Sequence, residues 1–252
     1  MQARPVVLLT LEYDGTDYVG WQIQRNGTSI QAVLEAALSE LQGEPLRVMG
    51  AGRTDSGVHA LGQRASFTPA RVLPLRAYVA GLNGLLPPDI AVHAAELRPP
   101  GFDARRNARG KLYRYRIVRT DQREPLSARY SWQIFPKLDL EAMGEATHAL
   151  VGKHDFAAFR AANCQARTTV REVRRLEIRA LEGGELSIEV EATAFLKHMV
   201  RNLVGTLVEV GLGKRSPASV ATTLAGRDRT RAGRTAPPQG LTLVSVHYPP
   251  AD

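Results

Sequence analysis

The chain has 252 residues, of which 44% are hydrophobic and 23% are charged, values that fit a globular protein of one or two domains and exclude a disordered or collagen-like chain. Its one cysteine excludes an internal disulfide framework. No apolar run approaches the ~18 residues of a membrane span, and the run at residues 6–11 is too short for a signal-peptide core. These features predict a soluble cytoplasmic protein.

The formal net charge of +8 is unevenly distributed. Residues 1–104 carry 8 basic and 10 acidic side chains, whereas residues 105–252 carry 25 and 15. The excess lies at residues 98–129, 160–179 and 214–234, and 28 of the 33 basic residues are arginine. Because a guanidinium group contacts phosphate in a bidentate manner and stacks on bases, the distribution favours a nucleic-acid-binding surface over a solvated face of mixed charge. We expect phosphate contacts mainly from residues 98–129 and 214–234.

The first half of the chain combines strand and helix patterns. Residues 5–12 are an apolar run followed by a turn signal, which predicts a strand. Thr28 and Gln31 form a capping-box pattern before apolar residues at helical spacing, and Gly43 ends this predicted helix. The remaining predictions are strands at residues 46–49, 63–67 and 90–97, a helix at residues 75–82, and a glycine-rich loop at residues 50–62.

The second half has the same mixed character. Residues 112–118 alternate, with aromatic and apolar side chains on one face and two arginines on the other, which predicts a half-buried strand with a basic side. The other predicted elements are a helix capped by Asp139 that runs to residue 151, strands at residues 172–180 and 186–192 joined by a Gly-Gly turn, an apolar helix at residues 196–211, a short helix that begins at Ser216 and Pro217, and a strand at residues 241–247.

This order of elements predicts an α+β fold. We expect two α+β domains with mixed, largely antiparallel sheets and helices packed on one face. Because the basic excess lies in the second half and the candidate aspartate described below lies in the first, we expect a catalytic cleft between the domains. Residues 98–110, with their Pro-Pro-Gly sequence, mark the boundary. The predicted domains are therefore residues 1–104, which carry a candidate catalytic aspartate, and the basic residues 105–252.

The candidate aspartate is Asp55, in the glycine-rich loop. Glycines on both sides permit close approach of a ligand, and in an extended chain Arg53 and Asp55 point to the same side. An arginine beside a carboxylate favours its charged form, and a charged carboxylate can act as a nucleophile. The alternative is a carboxylate that only tightens a turn, and the composition of the loop does not decide between them.

Four spaced motifs together resemble the tRNA pseudouridine synthase A family. They are residues 12–22 (EYDGTDYVGWQ), 52–59 (GRTDSGVH), 113–115 (YRY) and 198–202 (HMVRN). The resemblance covers nearly the whole chain, from about residue 6 to residue 249. It implies isomerisation of uridine to pseudouridine at positions 38, 39 and 40 of the anticodon stem and loop of tRNA, by a homodimer that uses neither a metal nor an organic cofactor.

The resemblance also implies roles for individual residues. Asp55 corresponds to the essential aspartate of the family, and Tyr113 to the tyrosine that stacks on the target base. Arg201 corresponds to the arginine that pairs with the aspartate, and Arg53 to an arginine that helps to displace the base. Ser56 departs from the alanine that is common in the family.

The reaction itself requires that the uracil be detached, turned and reattached, so the base must leave the helical stack and be held. Asp55 would attack C1′ or C6, and the sequence does not choose between these atoms. Without the resemblance, Tyr113 could be a core tyrosine and Arg201 an exposed helix arginine. The alternative function is a non-catalytic RNA-binding or tRNA-folding module with the same basic surface. A metal-dependent hydrolase is disfavoured because the sequence has no cluster of metal-ligand spacing.

Overall fold

A computed structural model of the chain describes residues 4–249. It contains strands and helices in mixed order, as the sequence predicts. In chain order they are β1 (Val6–Tyr13), α1 (Ile30–Gln42), β2 (Met49–Gly50), β3 (His59–Phe67), α2 (Leu75–Leu85), β4 (Ile90–Arg98), β5 (Gly110–Arg119), α3 (Pro125–Ala128), β6 (Trp132–Ile134), α4 (Leu140–Thr147), β7 (Gly152–Asp155), β8 (Val170–Ala180), β9 (Glu185–Ala192), α5 (Met199–Gly211), α6 (Ala218–Gly226) and β10 (Leu241–His247). No helix among these residues is long and apolar enough to span a bilayer.

The chain forms two compact units. Of the described residues, the first unit comprises 4–109 and 242–249, and the second comprises 110–241. The predicted domains differ from these units in the last strand, because Thr242 of β10 pairs in parallel with His59 of β3. Pairing of strands distant in the sequence therefore assigns residues 242–247 of β10 to the first unit, which the local pattern around these residues does not indicate. The division into two separate domains stays a prediction.

The first unit is built on an antiparallel core. Strand β1 pairs antiparallel with both β3 and β4, and β2 pairs antiparallel with β3. Its consecutive residues Val7, Leu8 and Leu9 are fully buried, so both faces of this central strand are covered. Helix α1 buries Leu34 and Leu38 completely, as the predicted apolar spacing requires.

The predicted capping box at Thr28 is wrong by one residue. Ser29 is the N-cap of α1, and its side-chain oxygen accepts a hydrogen bond from the Ala32 N–H at 3.2 Å. Gln31 instead donates from Nε2 to Glu35 Oε1 at 2.9 Å. Thr28 and Ser29 are both good capping residues, so only the backbone conformation decides which of them caps the helix.

The second unit is also a mixed structure with mostly antiparallel pairing. Strand β9 pairs antiparallel with β5 and β8, β7 pairs antiparallel with β8, and β6 pairs in parallel with β5. The mixed, largely antiparallel α+β class is thus confirmed. Helix α4 begins at the predicted cap, where Asp139 Oδ1 accepts from the Ala142 N–H at 3.0 Å. Helix α5 is buried along most of its length.

Candidate active site

Asp55 lies in the loop between β2 and β3 and begins a tight turn. The Val58 N–H donates to the Asp55 carbonyl oxygen at 3.1 Å, and Gly57 has a φ of 74°. A residue with a side chain rarely adopts this left-handed conformation, so the turn requires a glycine at this position. Asp55 is half-buried and Arg53 is exposed, whereas Thr54 between them is buried, as an extended segment predicts.

The loop is in direct contact with the chain that follows β1. The Trp21 N–H donates to the Thr54 carbonyl oxygen at 3.1 Å. A Cβ atom at Gly20 would lie 2.6 Å from the same oxygen, and a Cβ atom at Gly15 would lie 2.0 Å from the Val58 carbonyl oxygen. Backbone therefore meets backbone on both sides of Asp55, which only glycine allows. The motifs at residues 12–22 and 52–59 therefore pack directly against each other.

Hydroxyl groups add a second set of links between these motifs. The Tyr13 hydroxyl lies 2.8 Å from Thr54 Oγ1, and Ser56 Oγ donates to the Tyr18 carbonyl oxygen at 3.0 Å. Burial of the Tyr13 ring raises its pKa to about 12, so this hydroxyl stays protonated at neutral pH. Each neighbour of Asp55 is thus held by a side-chain hydrogen bond, which fixes the position of the aspartate backbone.

His59, the first residue of β3, ties the loop to the start of the same motif. Its Nδ1 atom lies 3.2 Å from the Gly15 backbone nitrogen and 3.1 Å from Asp14 Oδ1. One ring nitrogen serves only one of these contacts at a time: unprotonated, it accepts from Gly15, and protonated, it donates to Asp14. In both forms the imidazole links residues 14 and 15 to β3.

Tyr113 lies on β5 in the second unit. Its side chain is 7% exposed, and the Phe195 ring meets it edge-on, with ring centroids 5.0 Å apart and planes at 85°. This contact fixes the plane of the tyrosine ring. The alternation predicted for residues 112–118 is confirmed, because Tyr115 and Ile117 are also fully buried.

Arg201 lies on α5 and faces the segment that follows residue 233. Its Nε atom donates to the Ala236 carbonyl oxygen at 2.7 Å, and the Ala236 N–H donates to the Arg201 carbonyl oxygen at 3.0 Å. A Cβ atom at Gly205 would lie 1.7 Å from the Arg234 carbonyl oxygen. The glycine one turn after Arg201 thus allows another chain segment to approach the helix.

Asn202, next to Arg201, holds that segment and was missed by the sequence analysis. It is completely buried. Its Oδ1 accepts from Arg229 Nη2 at 3.1 Å and from Thr235 Oγ1 at 2.7 Å, and its Nδ2 donates to the Phe159 carbonyl oxygen at 2.8 Å. A polar residue on the apolar stripe of a predicted helix is the signal that could have indicated it.

The two arginines on the predicted basic side of β5 are paired with carboxylates. Arg116 forms a bidentate pair with Glu185, at 2.7 and 2.8 Å, and Arg114 pairs with Glu189 at 3.0 Å. The hydrogen bond between Arg116 and Glu185 raises the pKa of the guanidinium and lowers the pKa of the carboxyl group. Strand β9 supplies both carboxylates, so the arginines are partly neutralised within the second unit.

No group of three or more histidine, cysteine, aspartate or glutamate side chains with the spacing of a metal site occurs among residues 4–249.

Comparison with known proteins assigns the family. A family model described as tRNA pseudouridine synthase matches residues 10–105 and 146–249. The chain belongs to this family. It is 57% identical over 250 residues to tRNA pseudouridine synthase A of Myxococcus xanthus, covering 98% of this chain and 94% of that protein. The enzyme is an isomerase that acts on uridine in tRNA.

Two further relatives have the same name. tRNA pseudouridine synthase A of Syntrophotalea carbinolica is 52% identical, with 98% of both chains covered. That of Geobacter sulfurreducens is 52% identical, with 96% of this chain and 99% of that protein covered. The resemblance that the four motifs indicate is confirmed.

Proposed function

We propose that the enzyme isomerises uridine at positions 38, 39 and 40, in the anticodon stem and loop of tRNA, with Asp55 as the nucleophile toward a flipped-out base. One observation supports this assignment above the others. The two motifs that flank β1 and β3 hold the backbone on both sides of Asp55 through close contacts at glycines and through hydroxyl hydrogen bonds. A carboxylate on a backbone held in this way can be aimed at a carbon atom of a nucleotide.

The isomerisation breaks the bond between C1′ and N1 of uracil and forms a bond between C1′ and C5, so C5 loses its proton and N1 gains one. The base must leave the stack, rotate while it is detached, and stay in the site. Asp55 attacks C1′ or C6 and is released when the new bond is complete, so it is regenerated in each turnover. The overall reaction rearranges the nucleoside, so it consumes no oxidant, reductant or water.

The other three residues act on the same nucleotide in this proposal. Tyr113 stacks on the uracil, a contact worth about 1–3 kcal/mol per base. Arg201 pairs with the aspartate, and its Nε is already held by a backbone carbonyl oxygen, which limits the orientations of the guanidinium. Arg53 is exposed in the same loop as Asp55 and helps to displace the base from its stack.

The net charge of +8 and the arginine-rich segments support tRNA as a polyanionic partner.

We further propose that the enzyme works as a homodimer in the cytoplasm. Light scattering coupled to size-exclusion chromatography tests the dimer directly, and a mass of one chain, 27.5 kDa, at working concentration contradicts it.

The assignment of Asp55 is tested with Asp55→Asn. We expect loss of pseudouridine formation by at least about a thousandfold, because an amide is not a nucleophile under these conditions, while tRNA binding stays within a few-fold. Pseudouridine is mapped in unmodified tRNA after incubation with the purified chain alone, which also reports the modified positions.

A matched control is Asp139→Asn, which makes the same chemical change at a helix cap where asparagine serves equally well. It should retain full activity. If Asp55→Asn retains the activity of the unaltered chain, Asp55 is not the nucleophile. If the purified chain forms no pseudouridine in any tRNA but binds it, the non-catalytic RNA-binding alternative is correct.

A further inference from the structure

A solvent-open cavity of about 480 Å³ lies in the second unit, beside α6. Its lining contains Arg215, Arg231 and four hydroxyl side chains of serine and threonine, and none of the lining residues is acidic. The volume is within the range of about 300–1,000 Å³ that is typical of ligand pockets. None of these residues is assigned to the uridine, so the cavity has no role in the proposed reaction.

The other arginines near this cavity are already engaged. Arg227 pairs with Asp155 at 3.2 Å, and the Arg234 guanidinium lies 4.9 Å from the centre of the Trp132 ring. Arg229 donates to backbone carbonyl oxygens and to side chains of the segment that it holds. These three residues therefore stabilise the second unit rather than present a cation to a ligand.

Arg231 and Arg215 differ from them. Arg231 is exposed, and among residues 4–249 no carboxylate oxygen lies within 4.0 Å of its guanidinium. Arg215 donates from Nε to Glu209 Oε2 and from Nη1 to the Arg231 carbonyl oxygen at 2.7 Å. These two bonds orient the Arg215 guanidinium and leave Nη2 without a hydrogen bond inside the described residues. Arg215 is paired with Glu209, so it offers an oriented Nη2 donor, whereas Arg231 offers the guanidinium charge of this cavity.

The wall of the cavity is preformed. Thr223 Oγ1 donates to the Ser219 carbonyl oxygen at 2.8 Å within α6, and the Arg234 N–H donates to Glu209 Oε1 at 2.9 Å. Glu209 therefore holds both Arg215 and the segment that carries Arg231. A site that needs no rearrangement loses little conformational entropy when it binds a ligand.

We propose that this cavity binds a backbone phosphodiester of the tRNA substrate. Arg231 supplies the accessible charge and Arg215 supplies a fixed Nη2 donor, while the hydroxyls of Ser219, Thr222 and Thr223 donate to backbone carbonyl oxygens. A phosphodiester carries one negative charge, which matches the Arg231 guanidinium, the one of the two lining arginines that has no carboxylate oxygen within 4.0 Å in the described part of the chain. The inference rests on tRNA as the substrate and does not depend on the role of Asp55.

The test is the salt dependence of tRNA binding by the full chain with Arg231→Gln. Loss of one phosphate contact should reduce the slope of log K against log salt concentration by about 0.7–0.9 and weaken binding roughly 3- to 10-fold at low salt. Arg231→Lys should restore most of the slope because it keeps the charge. Because the readout is binding, the result is independent of whether Asp55→Asn abolishes the reaction.

The matched control is Arg179→Gln, which removes the same charge from an exposed arginine that pairs with Glu177. Its slope should equal that of the unaltered chain. An unchanged slope in Arg231→Gln overturns the proposal, and so does an equal loss in Arg179→Gln, since that result would reflect net charge alone.

A second measurement distinguishes the source of the phosphate. Thermal unfolding in millimolar inorganic phosphate and in chloride of equal ionic strength should give the same midpoint if the cavity serves tRNA. A phosphate-specific rise in the midpoint that disappears in Arg231→Gln would assign the cavity to a small phosphate ligand and overturn the tRNA assignment.

Discussion

The loop that carries Asp55 and the segment that packs on Arg201 are both held against a neighbouring element at glycines, but they differ in what else holds them. The first depends on backbone contacts at Gly15 and Gly20 and on a few hydroxyl bonds. The second depends on Gly205 and on buried polar atoms of Asn202 that bind an arginine. The first region is fixed by shape, and the second by shape and by charge-assisted hydrogen bonds.

Because of this difference, the two regions should respond differently to two kinds of substitution. A substitution that adds volume should disturb both regions, because both have backbone atoms where a Cβ atom would be. A substitution that removes a polar atom should cost much more in the second region, where an arginine would lose its acceptor.

The largest effect is expected for Gly205→Ala. The added methyl would lie 1.7 Å from the Arg234 carbonyl oxygen, so the segment after residue 233 must move away from α5. We expect a loss of at least about 3 kcal/mol in the free energy of unfolding, at or above the upper end for overpacking, because the clash is with backbone. Urea unfolding measures it.

The control is Gly144→Ala in α4, where nothing lies within 4 Å of the added Cβ atom. This variant should be more stable by about 0.5–1 kcal/mol, since alanine favours the helix. Equal stability of the two variants would contradict the close approach at Gly205.

The next effect is expected for Asn202→Ala. The change removes the acceptor of Arg229 and Thr235 and the donor to the Phe159 carbonyl oxygen. Buried groups without partners cost about 1–3 kcal/mol each, and with partial relaxation we expect a total loss of about 3 kcal/mol. In a double-mutant cycle with Thr235→Val, the two losses should add to more than the loss of the double variant. Strict additivity would show that the Asn202–Thr235 bond contributes nothing.

A smaller loss of stability with a clear loss of activity is expected for Gly20→Ala. Residue 20 has a φ of 100°, and the added Cβ atom would lie 2.6 Å from the Thr54 carbonyl oxygen. Backbone strain of this kind costs about 1–3 kcal/mol. Because the displaced backbone is next to Asp55, the rate of pseudouridine formation should fall by about tenfold or more, as a small displacement of a reacting group can do. Full activity in the folded variant would show that the loop position is not limiting.

The smallest effect is expected for Tyr13→Phe. Loss of the hydrogen bond to Thr54 should cost about 1 kcal/mol at pH 7. The pKa of Tyr13 is raised to about 12 by burial, so its contribution is complete below the unfolded value near 10 and is lost as the pH rises toward 12. The unaltered chain should lose about 1.4 kcal/mol relative to the variant by pH 11. Urea unfolding at pH 7, 10 and 11 tests this, and a constant difference would contradict the raised pKa.

Local patterns in the sequence predict much of the secondary structure and the candidate aspartate of the site. Residues 241–247 form β10 and residues 186–192 lie in β9 because strand alternation and turn glycines are local signals. The strand predicted at residues 46–49 shrinks to Met49–Gly50, since its pairing with β3 begins only there. Asp55 stands out in the sequence because glycines surround it and because its motif resembles that of a known family.

The sequence by itself determined the fold class, the family and the candidate aspartate, because these depend on periodicity and on contiguous motifs. Only the tertiary structure decided which arginines are neutralised. Arg114 and Arg116 pair with carboxylates of β9 that lie 75 and 69 residues further along the chain. It also decided that β10 pairs with β3 and that Asn202 binds Arg229. Each of these contacts joins residues that are far apart in the sequence. Local sequence patterns do not indicate such pairs, because only the path of the folded backbone brings them together.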